Sequence, residues 1–150
     1  MKQKHIVSGQ SLIEFALLLP LIVFLSLGFL DLGRAVFYYS SLSNAVREGT
    51  RDGVVMAYAG YTEDDLKTAV LSYGIGLTGT NHPLTMDDII IEMIEENEDS
   101  PGFEKIRITA NYCFVPVTPG MNLLITSTCG GATGIPLQAE SIMWLEPGTE

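Results

Sequence analysis

One carboxylate, Glu14, stands inside the apolar run Leu12-Ile13-Glu14-Phe15-Ala16-Leu17-Leu18-Leu19-Pro20. A charge that close to hydrocarbon is costly and usually marks function. Other residues able to do chemistry are few. His5 and His82 have no cysteine or carboxylate at metal-ligand spacing. The chain lacks Gly-x-Ser-x-Gly, a phosphate loop and Cys-x-x-Cys. Asp87, Asp88 and Glu92, or Glu96, Glu98 and Asp99, offer oxygen ligands for calcium. Their spacing is not that of an EF-hand, and Pro101 falls where its sharp-turn glycine belongs. No enzyme, cofactor or metal is expected. Cys113 and Cys129, sixteen positions apart, would close a loop worth about 3 kcal/mol in the chain-entropy model. On the exported side of a membrane they are expected to pair, with two free thiols as the alternative.

The net charge is −10, which argues against a nucleic-acid partner, because that would need a basic stripe. From Thr62 onward fourteen acids face three bases, Lys67, Lys105 and Arg107. Such a surface reads first as solvation.

The elements that must position these residues begin with a membrane helix. Phe15 to Leu30 carry no charge and cover about 24 Å at 1.5 Å per residue, so turns from Leu12 and through Leu32 are needed to span the bilayer. Lys2, Lys4 and His5 before the run keep the start cytoplasmic and send the rest across. Pro20 should kink the helix. Ser26 and Gly28 also make a passable signal-peptide cleavage site. Glu14 and the helical pattern beyond that site oppose this reading. Ala35, Tyr38, Tyr39, Leu42, Ala45, Val46, Gly49, Gly53, Met56 and Ala57 recur at helical spacing, with Arg47, Glu48, Arg51 and Asp52 off the stripe. Ala45, Gly49 and Gly53 form a small-residue line where another backbone, the sheet or a second subunit, can approach. Each glycine weakens the helix by about 1 kcal/mol relative to alanine, and a break near Gly53 is the alternative.

Beyond the helix, residues 61–150 read as a small α+β domain. Thr62 caps a helix whose buried side is Leu66, Ala69, Val70 and Tyr73, ended by Gly74 and Gly76. Ile89, Ile91 and Met93 make one strand face, and Ile106, Ile108, Ala110, Tyr112 and Phe114 another. Ser100-Pro101-Gly102 is a turn between them. A third strand runs from Leu137 to Leu145. Ile142 and Trp144 break its alternation, which predicts packing on the helix or a partner. A further strand is expected around Leu123 to Thr126. An antiparallel sheet packed on the amphipathic helix buries both apolar faces.

Gly9-Gln10-Ser11-Leu12-Ile13-Glu14-Phe15 resembles the processing site of type IV pilin precursors of the tight-adherence branch. Asp31-Leu32-Gly33-Arg34 and Asn44-Ala45-Val46-Arg47-Glu48-Gly49-Thr50-Arg51 resemble segments of TadE-like pseudopilins, the second being similar to that family's Asn-Ala-Ala-Arg-Glu-Gly-Ala-Arg. The resemblance covers residues 9 to about 52. It implies a leader, 1–9, cut between Gly9 and Gln10 by a prepilin peptidase. It also implies a membrane and assembly helix, 10–33, an amphipathic continuation, 34–60, and an extracytoplasmic pilin-like domain, 61–150. Glu14 would become the fifth residue of the mature chain, next to Phe15, and would pair with the terminal amine of a neighbouring subunit, setting register more than stability. The implied partners are other pilin and pseudopilin subunits, the assembly platform in the cytoplasmic membrane, and the lipid bilayer. The implied location is single-pass in the cytoplasmic membrane with the N-terminus inside, and in the extracellular pilus. Major subunits of that branch are little more than the helix, so a chain with this domain is expected to be a minor pilin. A membrane-tethered binding module that never enters a filament is the alternative.

Overall fold

The computed structural model describes residues 8–60, 62–80, 82–95, 104–129 and 131–145. One helix, α1, runs from Ser8 to Ala59, about 78 Å at 1.5 Å per residue. Pro20 lies inside it without ending it, and no break falls at Gly53. The second half of α1 carries the apolar stripe. Leu42, Ala45 and Val46 are fully buried, and Ala35, Tyr38, Val54 and Met56 pack around them. Tyr39 leaves the stripe and is exposed, because one residue past Tyr38 the helix has turned by about 100°.

The short helix α2, Glu63–Tyr73, starts at Thr62. The Thr62 hydroxyl accepts from the Asp65 backbone N–H, and the Asp65 carboxylate accepts in return from the Thr62 backbone N–H, 3.0 Å away. This reciprocal arrangement satisfies the first orphan amides of the helix. Leu66 and Val70 are its buried residues. Tyr73 stays partly exposed and donates its hydroxyl to Asp52 on α1, 2.8 Å away.

Three strands follow α2: β1, Ile89–Glu95, β2, Glu104–Phe114, and β5, Ile135–Trp144. They form an antiparallel sheet in the order β1-β2-β5. Two short strands, β3 (Thr128–Cys129) and β4 (Ala132–Thr133), make a separate ribbon. The inner sheet face, with Ile89, Ile106, Ile108, Ala110, Tyr112, Phe114 and Ala139, joins the α1 stripe in one core. The fold is α+β, a long N-terminal helix packed on a small antiparallel sheet.

Two strand expectations are corrected. Leu123 to Thr126 is no strand: Gly120, at φ 85°, leads into a 3-10 turn over Met121–Leu123, a left-handed position that suits glycine. Ile142 and Trp144 do not pack on the helix. They keep the alternation and sit exposed on the outer sheet face, where the Lys105 ammonium lies 3.8 Å from the centre of the Trp144 ring. The expected turn at residues 100–102 lies outside the described residues.

Candidate functional site

Among the described residues, the N-terminal part of α1 ahead of Asp31 lies largely bare. Its most apolar window is wholly unburied, and it is long and apolar enough to cross a membrane. Gly9 and Gln10 lie in its first turn, and Phe15 is exposed. Glu14 is equally exposed, and its carboxylate accepts from the Gln10 side-chain amide at 3.3 Å, one turn earlier. Gly9, Gln10, Glu14 and Phe15, the residues expected for processing and assembly, therefore share one bare helical end. A bare apolar helix end with a single carboxylate fits a solvent other than water or a partner of its own kind.

Where this half ends, the helix meets the domain through Asp31, only 4 % exposed. Its carboxylate accepts from the backbone N–H of Val117 at 3.0 Å and of Thr118 at 2.8 Å, and from the Thr118 hydroxyl at 2.6 Å. Arg34, three residues on, adds an ion pair at 2.9 Å. Its guanidinium carbon stands 5.6 Å from the Tyr38 ring centre and 5.5 Å from that of Phe114, a cation–π arrangement that couples the pair to the core. Tyr38 also meets Tyr112 edge-on at 5.6 Å. Burial pushes the Tyr112 hydroxyl above the usual tyrosine value, opposed by the hydrogen bond it shares with Thr80.

Further along α1 the line Ala45, Gly49, Gly53 is occupied by the chain itself. A Cβ on Gly49 would overlap the Val70 side chain of α2, and one on Gly53 would sit 2.9 Å from Ile106 Cδ1 and 3.1 Å from Leu66 Cδ2. The close approach is thus to α2 and β2. Cys113 at the end of β2 is joined to Cys129 of β3, their Cα atoms 5.5 Å apart. Gly134 makes room for the bridge: a Cβ there would fall 2.8 Å from Cys113 Sγ and 2.7 Å from the Phe114 carbonyl.

Two of the acidic candidates have structural partners. Asp88 accepts from the Thr85 backbone N–H and hydroxyl, and Glu92 pairs with Arg107 at 3.2 Å. Arg107 Nε also lies 3.0 Å from Glu140, off the hydrogen-bond direction. Among the described residues no group of three His, Cys, Asp or Glu side chains is placed to hold a metal. His5, Glu96, Glu98 and Asp99 lie outside the described residues.

Sequence reasoning missed the Asp31–Thr118 contact, which spans 87 positions. Its local signal was an acid closing an apolar run with an arginine on the same face three residues later. No curated protein and no solved structure matches the chain. Residues 9–51, which contain the bare helix, Asp31, Arg34 and most of the small-residue line, match the family model described as TadE-like protein, so over this segment the chain is similar to that family.

Proposed function

We propose that this protein is a minor pilin, or pseudopilin, that takes part in assembling a tight-adherence pilus and thereby in surface attachment. The observation that carries the reading is the TadE-like match falling on a helix that is bare along its first half and folded against a domain along its second. In this reading a prepilin peptidase at the cytoplasmic membrane removes residues 1–9. Gln10 becomes the first residue, and Glu14 meets the new amine of an adjacent subunit. The domain lies outside the cytoplasm, which suits a paired Cys113 and Cys129.

The N-terminal sequence of the chain recovered from cell envelopes tests this. A start at Gln10 is expected. A chain left whole in cells with active prepilin peptidase would leave the tethered-module alternative standing and remove the pilin assignment. Assembly is tested separately by Glu14→Gln, which should still insert and be cut yet yield few pili, since one buried amine loses its counter-charge. Mass spectrometry of sheared pili should find the protein scarce relative to the major subunit.

A further inference from the structure

The loop that Asp31 holds has a surface unlike the rest of this acidic chain. No charged residue lies between Arg107 and Glu140. Within that stretch Val117, Leu123 and Leu124 are 70 %, 87 % and 73 % exposed. Hydrogen bonds from Val117 and Thr118 to Asp31 fix the loop at the level where the apolar half of α1 ends. Phe29, Leu30 and Leu32 are exposed on the helix at that same level. One group of acids, that of the first turn of α2, lies at the other end, by Leu66 and Gly53, while Asp88 lines a hollow with Tyr112 and Cys113 nearer the loop.

A second observation concerns the loop backbone. Pro116 and Pro119 have no N–H to satisfy. The N–H groups of Val117 and Thr118 go to Asp31. That of Met121 goes to the Thr118 carbonyl, that of Leu123 to Gly120, and those of Leu124 and Ile125 to Met121. Six of the loop's amides are thus satisfied within the chain, which lowers the cost of leaving water.

We propose that the loop Val115–Ile125 seats on the lipid interface of the bilayer that α1 spans, with Leu123, Leu124 and Val117 entering the headgroup–acyl boundary. The proposal rests on α1 being a membrane helix. Continuity with that span selects lipid as the occupant: a point fixed to Asp31 cannot leave the interface while the helix is inserted. An amphipathic contact of this kind lies about 5–10 Å deep. The acids of the first turn of α2 are then turned away from the surface, where anionic lipids would repel them.

The test uses the full chain in phosphatidylethanolamine–phosphatidylglycerol vesicles containing brominated phosphatidylcholine. Leu124→Trp and Phe24→Trp are each made in a Trp144→Phe background, with the native chain reporting from Trp144. Leu124→Trp should lose emission mainly to lipid brominated near the headgroups, Phe24→Trp mainly to lipid brominated deep in the chains, and Trp144 to neither. Quenching of Phe24→Trp without quenching of Leu124→Trp overturns the loop contact and leaves the span intact. If Phe24→Trp is not quenched, the span falls and the loop proposal falls with it. Shielding of Leu124→Trp that disappears as protein is diluted into excess lipid makes a second copy the occupant and also overturns the proposal.

Discussion

Residues 9–30 and 31–56 form one continuous helix, yet they obey different rules. The first part is apolar apart from Glu14 and a few uncharged polar residues, and its most apolar window is unburied among the described residues. The second keeps one apolar stripe against α2 and the sheet and turns Arg47 and Arg51 to solvent. Glycine shows the same split. Nothing lies within 4 Å of a Cβ placed on Gly28 or Gly33, whereas Gly49 and Gly53 are pressed by Val70, Leu66 and Ile106. Helix propensity cannot make this distinction. What the helix is immersed in does, and Asp31 marks the change.

Substitutions in the two halves should separate accordingly. The largest effect is expected from Phe114→Ala, which removes a buried ring and its contacts with Tyr38 and Arg34. A loss of about 3–5 kcal/mol is typical of such truncations, whereas Phe15→Ala should leave domain stability unchanged. Denaturant unfolding of the full chain in detergent micelles, followed by near-ultraviolet dichroism, would measure both. Equal losses would show that the halves are not independent.

Asp31→Ala comes next. It strands the Val117 and Thr118 donors and leaves Arg34 without its counter-ion, at a cost of about 3 kcal/mol. The same assay should show it, together with faster amide exchange at Val117 and Thr118. Unchanged exchange there would mean that the loop is held by something else.

Gly49→Ala is smaller. Helix propensity favours alanine by about 1 kcal/mol, but the overlap with Val70 should outweigh it and leave a net loss of about 1 kcal/mol. Gly28→Ala, with no neighbour to strike, should show no loss. If Gly49→Ala stabilises the protein, α2 does not pack as closely as described.

The smallest effect is electrostatic. The Thr62 hydroxyl and backbone N–H hold the exposed Asp65 carboxyl below its ordinary 3.8. A lowered acid contributes stability above its unfolded value and loses it as pH falls through its folded one. Melting temperature should therefore slope downward below pH 3.8, and Thr62→Val should flatten that slope. An identical slope in the variant would remove the cap from the explanation.

Much of this was legible because it is periodic. The stripe through Leu42, Val46 and Gly49 and the alternation in Ile106, Ile108 and Ala110 each repeat within a few residues, so local pattern reveals them. The Thr62 cap was legible for the same reason. Leu123 to Ile125 misled because three adjacent apolar residues look the same in a strand and in a turn. The φ of Gly120, which decides between them, has no fixed sequence signature. Asp31 and Thr118 are joined only by the folded chain. The strip at Gly49 announced a close approach but could not say whether the visitor was another subunit or the chain's own α2.

The antiparallel run of β2 beside α1 also has a mechanical side. Phe114 lies by Arg34 and Ile106 by Gly53, so β2 follows the helix from one end of the core to the other. Asp31–Thr118 fastens the lower end, and Tyr73–Asp52 fastens α2 to the upper part of the helix. A load applied between α1 and the sheet along the helix axis would therefore run parallel to this line of contacts.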